Sequence, residues 1–284
     1  MFKYSKEVKP VKKTIAFLLI LVLSLCSCTE KEIKVSDLQI TALNVGKADC
    51  FVITSPEANI VVDTGEADTV GYVCDYLNKN NITQIDALII SHFDKDHVGG
   101  AAEIIESYDV KAVYTTYYES KQSDEVTAYH SALEKKELSA NAISEMTEIK
   151  TGDMNWLFIP PESTDYGNNT GNDSSLVAKL EYNGKTMLFT GDIEKDRINE
   201  MLSDNSEILD CDILKVPHHG VKEKNTDELI EACSPKYAII TSSLDEPEDD
   251  KTNNLLTEAN VETFYTKNGD ITITIDDDIT VNYR

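Results

Sequence analysis

Within six residues, His92, Asp94, Asp96 and His97 offer two imidazoles and two carboxylates. The run Ala87-Leu88-Ile89-Ile90 before them reads as a buried strand, and the apolar-periodic Ala101, Ala102, Ile104 and Ile105 after Gly99-Gly100 read as a helix. The four side chains therefore sit where a strand ends and a helix begins, the edge at which open sheets bind ligands. Groups of this kind, crowded together without a cation, repel and desolvate one another, so a metal site is the economical reading. A polar turn in which Asp96 caps the following helix is the bland alternative.

The other histidines sharpen the choice. The chain has five, at positions 92, 97, 130, 218 and 219. A second strand-like run, Ile213-Leu214-Lys215-Val216, leads directly into Pro217-His218-His219-Gly220. Between the two clusters, Met187-Leu188-Phe189-Thr190-Gly191-Asp192 is a third strand ending on a carboxylate, and Ile60-Val61-Val62-Asp63-Thr64-Gly65 has the same form. Four strands thus each deliver an acid or an imidazole at the C-terminal end. His130, between Tyr129 and Ser131 in a helical stretch, has no such context and reads as a surface or packing residue.

The pattern HxDxDH before Gly99-Gly100, then Thr190-Gly191-Asp192, then Pro217-His218-His219-Gly220, resembles the metallo-β-lactamase fold. Asp94 stands at the second His of the commoner HxHxDH motif. That variant, with Asn172-Asp173-Ser174-Ser175-Leu176-Val177 ahead of the Asp192 strand, resembles the extracellular nuclease-like domain of the ComEC competence proteins. Asn44-Val45-Gly46-Lys47-Ala48-Asp49 is similar to that group's opening DVGQGD and retains Val45, Gly46 and Asp49. The resemblance extends from Leu38 to Ile275.

The resemblance implies an α+β fold, a four-layer αββα sandwich with its site along one edge between two sheets. It implies two divalent metal ions. His92, Asp94 and Asp192 would face one, Asp96, His97 and His219 the other, with Asp192 bridging. Such a pair lowers the pKa of a bridging water and polarises the electrophile. Asp96 and His218 would act in catalysis, His218 as donor to the developing oxyanion, and the roles of His218 and His219 are open to exchange. Asp63 would orient a ligand histidine through its other ring nitrogen. Where many members place a His ahead of the Asp192 strand, this chain has Asn172 and Asp173 beside the first site. An amide oxygen and two carboxylates shift the preference from Zn²⁺ toward Mn²⁺. The ComEC-like pattern also carries a His after the strand Tyr237–Thr241. Here Leu244-Asp245-Glu246-Pro247-Glu248-Asp249-Asp250 takes that place and reads as a solvated acidic loop.

The N-terminus has a different logic. Lys3, Lys6, Lys9, Lys12 and Lys13 precede an apolar stretch from Thr14 to Ser27, too short to span a bilayer comfortably and suited to a signal-peptide core. It ends in Leu25-Cys26-Ser27-Cys28, which resembles a bacterial lipoprotein processing site with Cys28 as the lipidated residue. Cys26, preceded by bulky Leu25, is the weaker candidate, and an ordinary signal peptide or an uncleaved anchor is the alternative. Residues 1–27 are thus expected to be a lipoprotein signal peptide, 28–37 a tether and 38–284 a metallo-β-lactamase-like hydrolase domain. The mature protein would be exported and held on the outer face of the cell membrane. Losing residues 1–27, with five Lys and one Glu, takes the net charge from −25 to −29. That field disfavours a long nucleic acid, whose binders usually present basic surfaces, and leaves a small phosphodiester or a strand end open.

Cys50, Cys74, Cys211 and Cys233 remain, and buried free thiols are the preferred reading over a disulfide framework. Strands are expected at 38–44, 51–54, 59–63, 87–90, 111–115, 154–159, 176–182, 186–190, 213–216, 237–241, 263–266 and 271–275, with Asn183-Gly184 as a hairpin turn. Helices are expected at 67–80, after Gly100, and at 125–138, 194–202, 228–233 and 252–259. The segment from Tyr114 to Lys150 departs from tidy alternation. The leading functional expectation is a membrane-tethered extracellular metal-dependent hydrolase of phosphodiester bonds, in a small molecule or a polymer. Hydrolysis of a lactam, lactone or carboxylic ester by the same activated hydroxide is the alternative, although Asp94 in place of His speaks against it. A non-catalytic surface-binding lipoprotein is a third reading, but a binder has no need of six metal donors.

Overall fold

Alternation explains the architecture. In the strand Asn59–Val62, Ile60 and Val62 point into one core and Val61 into another, and in Ala87–Ile90 the residues again divide two and two. A strand apolar on both sides must be covered on both sides. The computed structural model describes residues 38–119, 122–204 and 206–284, and Ser36–Arg284 forms one compact unit. The expected signal peptide, tether and Cys28 lie outside the described residues.

In chain order the first half contains β1 (Leu38–Ala42), β2 (Phe51–Thr54), β3 (Asn59–Val62), α1 (Val70–Lys79), β4 (Gln84–Ile85), β5 (Ala87–Ile90), α2 (Lys95–Val98), α3 (Ala101–Ser107), β6 (Asp109–Val110), β7 (Val113–Thr116), α4 (Asp124–Lys135) and β8 (Ala140–Ile143). The second half contains β9 (Thr147–Thr151), β10 (Met154–Ile159), α5 (Thr170–Asp173), β11 (Val177–Tyr182), β12 (Lys185–Phe189), α6 (Lys195–Asp204), α7 (Ser206–Leu209) and β13 (Ile213–Lys215). It closes with α8 (Thr226–Cys233), β14 (Tyr237–Ile240), α9 (Asp250–Glu258), β15 (Glu262–Tyr265), β16 (Ile271–Ile275) and β17 (Ile279–Tyr283).

One sheet has eight strands in the order β17-β16-β1-β2-β3-β5-β7-β8, the other seven in the order β15-β14-β13-β12-β11-β10-β9. Strands β3, β5, β7 and β8 run parallel, as do β12, β13, β14 and β15. Their helical crossovers lie on the outer faces. Between the sheets, Phe51 meets Phe189 edge to face at 5.2 Å, and Trp156 and Phe158 fill the same layer. Outside one sheet Val61 and Leu88 pack on Leu77, Ile104 and Tyr129; outside the other Leu188 and Leu214 pack on Ile198, Leu229 and Leu256. The four-layer αββα sandwich is therefore the fold.

Five strands, β4, β6, β8, β9 and β17, were not legible as such in the sequence. The clearest case is the sheet edge β9: Thr147-Glu148-Ile149-Lys150-Thr151 has one apolar residue, yet it pairs along its whole length with β10. Pairing with a partner supplies what the pattern lacks. The four cysteines at 50, 74, 211 and 233 are free thiols.

Candidate metal centre

The parallel strands of both sheets end on the same edge, and the chemistry gathers there. Asp63 follows β3, His92 follows β5, Asp192 follows β12, His218 and His219 follow β13, and Thr241 follows β14. Asp63, His218 and His219 have φ of 55°, 47° and 54°, left-handed conformations that cost a non-glycine residue about 1–3 kcal/mol each. Gly191 has φ 56°, and a Cβ there would come within 2.8 Å of Ser175, so only glycine lets the β12 strand turn Asp192 into the site.

Four donors converge: Asp96, His97, Asp192 and His219 each place one ligand atom within 4.8 Å of all the others. Asp192 Oδ2 lies 3.3 Å from His97 Nε2 and 3.1 Å from His219 Nε2, and Asp96 Oδ2 lies 3.2 Å from His219 Nε2. The His92 ring stands 4.1 Å from that of His97, fully buried. Asp94 occupies the N-cap position of α2, its carbonyl accepting from His97 and Val98 N–H, and lies outside the four converging donors.

A dry set of partners fixes the rings. Asp63 Oδ2 lies 2.9 Å from His97 Nδ1, while Ser91 donates its backbone N–H and its hydroxyl to the same carboxylate. The Nδ1 of His219 lies 2.9 Å from the Thr241 carbonyl, and the Thr241 hydroxyl donates to Asp49. Lys215 reaches Asp49 Oδ2 at 2.6 Å, Asp192 Oδ1 at 3.1 Å and the Gly191 carbonyl at 2.8 Å.

His218, the neighbour of His219, faces another way. Its Nδ1 lies 3.5 Å from Glu194 and 3.6 Å from Glu223, and its Nε2 lies 3.5 Å from the Asn172 amide nitrogen. Asn172 in turn donates to Glu194 at 2.7 Å. Asp173, grouped with Asn172 from sequence, turns instead to α6 and accepts the Glu194 and Arg197 N–H groups. Burial pushes its carboxyl up to about 6.

Electrostatics at the converging donors follow from crowded carboxylates. Burial alone would raise Asp192, but His219, His97 and Lys215 outweigh it and hold its carboxyl well below the usual range. Burial would likewise lower His97 and His219, yet the acids around them win: His97 is raised well above its ordinary value and His219 to about 9. Burial and the charge of His97 lower His92 to about 4. In the absence of a metal, protons on His97 and His219 neutralise the field that divalent cations would otherwise neutralise.

The donor set fits such cations. The buried Nε2 atoms of His92 and His97 have no hydrogen-bond partner, a costly state that ligation relieves. The opposite ring nitrogen of His97 is held by Asp63, as outer carboxylates hold metal-ligating imidazoles. The sequence reading missed Lys215 and took it as part of an apolar run. Its signal was a lone cation inside a strand whose neighbours are all buried. Thr241 and Ser91 carried no signal, because a hydroxyl gains its role only from its neighbours.

The run Leu244–Asp250 is not a solvated loop throughout. Glu248 is buried, accepts from Ser242 and Asn253, and pairs with Lys267 at 2.6 Å. A Cβ on Gly220 would come within 2.7 Å of Glu248, so the loop packs directly on the His218-His219 turn. The acidic composition hid one residue that faces inward. His130 is exposed and pairs with Glu119, away from the site.

Comparison with known proteins agrees with the geometry. The chain is 28% identical over 228 residues to the ComE operon protein 3 of Bacillus subtilis, an alignment covering 73% of this chain and 28% of that protein. It is 26% identical over 212 residues to Recombination protein 2 of Haemophilus influenzae, covering 72% and 24% respectively. The chain thus spans about a quarter of the length of these relatives. Among solved structures, the metallo-beta-lactamase fold protein YhfI of Bacillus subtilis aligns with a TM-score of 0.52 at 12% identity, covering 80% of this chain and 96% of that one. The family model described as the metallo-beta-lactamase superfamily matches residues 43–242. With the sandwich, the strand-end donors and this match in accord, the chain belongs to the metallo-beta-lactamase superfamily of metal-dependent hydrolases.

Proposed function

We propose that this hydrolase cleaves phosphodiester bonds, uses two divalent cations of the Mn²⁺ or Zn²⁺ type, and works outside the cell on a lipid tether. The observation that carries the reaction class is the equal share of carboxylates and imidazoles among the converging donors. Asp96, His97, Asp192 and His219 converge, Asp94 stands where the common motif has a histidine, and Asn172 where many members have another. Hard oxygen donors suit Mn²⁺ and phosphoryl oxygens better than a histidine-rich site does. The likeness to Recombination protein 2 of Haemophilus influenzae supports the same reading.

Asp96, His97, Asp192 and His219 would hold divalent cations that would lower the pKa of a bound water and polarise the scissile bond. Asp63 and Thr241 hold His97 and His219 with one ring nitrogen turned toward the donors. Asp96, whose side chain is 22% exposed, is the donor that meets solvent and therefore the incoming water. His218, among Glu194, Glu223 and Asn172, would donate to charge developing on the substrate.

Purified residues 28–284 should bind two cations per chain and hydrolyse an aryl phosphodiester faster than a β-lactam or a lactone. Turnover of the lactam or lactone alone would assign the ester reading, and metal-free protein without turnover a binding role. No helix among the described residues is long and apolar enough to cross a membrane. Changing Cys28 to Ser should release the protein from membranes or leave an unprocessed precursor. Unchanged detergent-requiring mature protein would sink the tether.

A further inference from the structure

Lys215 is the buried lysine of the described residues, and it lies inside the site rather than at its rim. It projects from β13 into the layer between the sheets. There it joins Asp49, in the β1–β2 connection, to Asp192, at the end of β12. Asp49, Asp63 and Asp192 are buried and Asp96 is half-buried, which sets four negative charges around His97. A Lys head group carries a full charge into this space and has three donors: Asp49, Asp192 and the Gly191 carbonyl use all three. The same contacts divide the two oxygens of Asp192. Oδ1 belongs to Lys215, and Oδ2 is left facing His97 and His219.

We propose that Lys215 is a built-in cation of the metal centre, a positioning residue that fixes which oxygen Asp192 presents and sets how strongly the site attracts divalent ions. The inference rests on the metal reading of the converging donors. Lys215 and the metals are like charges sharing one carboxylate, so each weakens the other. Asp49 draws Lys215 away from Asp192 and adds a negative charge, so it strengthens metal binding. The two residues touch each other yet act on the metals with opposite sign. A purely structural pair would act with the same sign.

Mn²⁺ binding to the full chain, measured by titration calorimetry and by the rise in melting temperature, separates the cases. Lys215→Met should lower the melting temperature of the metal-free protein, enlarge its rise on adding Mn²⁺, and tighten Mn²⁺ binding by about tenfold or more. Asp49→Asn, close to isosteric and safer for folding, should weaken Mn²⁺ binding by a similar factor. The double variant, with both charges gone, should return close to the wild-type affinity. Weakened binding in both single variants, or no change in either, would overturn the proposal. Wild-type protein that takes up neither Mn²⁺ nor Zn²⁺ would overturn the metal reading beneath it.

Discussion

His218 and His219 are neighbours with almost the same left-handed backbone, yet they belong to different regions. His219 is 1% exposed and enters a dry cluster in which Asp63 holds His97, Thr241 holds His219, and Lys215 holds Asp192. His218, with its side chain 22% exposed, enters a wetter rim of Glu194, Glu223 and Asn172, where its own contacts are 3.5 Å or longer. Two successive residues in left-handed backbone send their side chains into different surroundings. The dry region has the rigidity that metal ligation needs. The rim has the access that a substrate needs.

The largest effect should come from the centre of the dry region. Asp192→Asn removes the charge shared by His97, His219 and Lys215 and should strip metal from both positions. Turnover is expected to fall by several powers of ten, read by metal analysis together with initial rates. Retention of two metals would break the view that Asp192 serves both.

The histidine pair tests the contrast itself. His219→Ala should lose metal. His218→Ala should keep it and slow turnover about 10²–10³-fold, as expected for one lost transition-state hydrogen bond. If His218→Ala empties the site while His219→Ala does not, the two regions exchange roles.

A third test sharpens the dry region through pH. His97 and His219 have raised pKa values in the metal-free fold, His219 to about 9, so protonated imidazoles stabilise that fold. This contribution is complete below the ordinary histidine pKa and is lost as pH rises from about 6.5 through about 9. The melting temperature of metal-free protein should fall across that window. Mn²⁺ should abolish the fall and release about two protons per chain at pH 7.5. A melting temperature that rises with pH in the absence of metal would contradict the assignment.

The smallest effect concerns the loop behind the histidine turn. Burial would raise Glu248, but Lys267, Asn253 and Ser242 outweigh it and hold its carboxyl at about 2. Glu248→Gln should cost about 1–3 kcal/mol at pH 7. The stabilisation is present above about 4.5 and vanishes as pH falls toward 2, so melting curves of the two proteins should converge in acid. Metal content should stay unchanged, because Glu248 supports the turn from outside the dry cluster.

Much of the molecule was written in local pattern. Strand-end acids and histidines announced themselves because a buried parallel strand is a short apolar run, and the first polar residue after it marks the edge of the sheet. Ala87–Ile90 followed by His92 and Ile213–Val216 followed by His218 are of this kind. Helix-forming periodicity located α1 and α3 for the same reason: each must bury one stripe. The edge strand β9 was lost because an exposed strand needs a partner, not a pattern.

What the sequence alone determined was the donor chemistry: which acids and imidazoles stand at strand ends, and that two sheets must bury their apolar faces together. Only the tertiary structure decided which of them meet. His218 and His219 have the same side chain and adjacent numbers, so the turn geometry had to separate them. Lys215 looked like an interruption of a strand until folding brought Asp49, 166 positions before it, within 2.6 Å. An ammonium in an apolar run is an anomaly by local rules. Its stability depends on carboxylates carried by other strands, and no local window contains them.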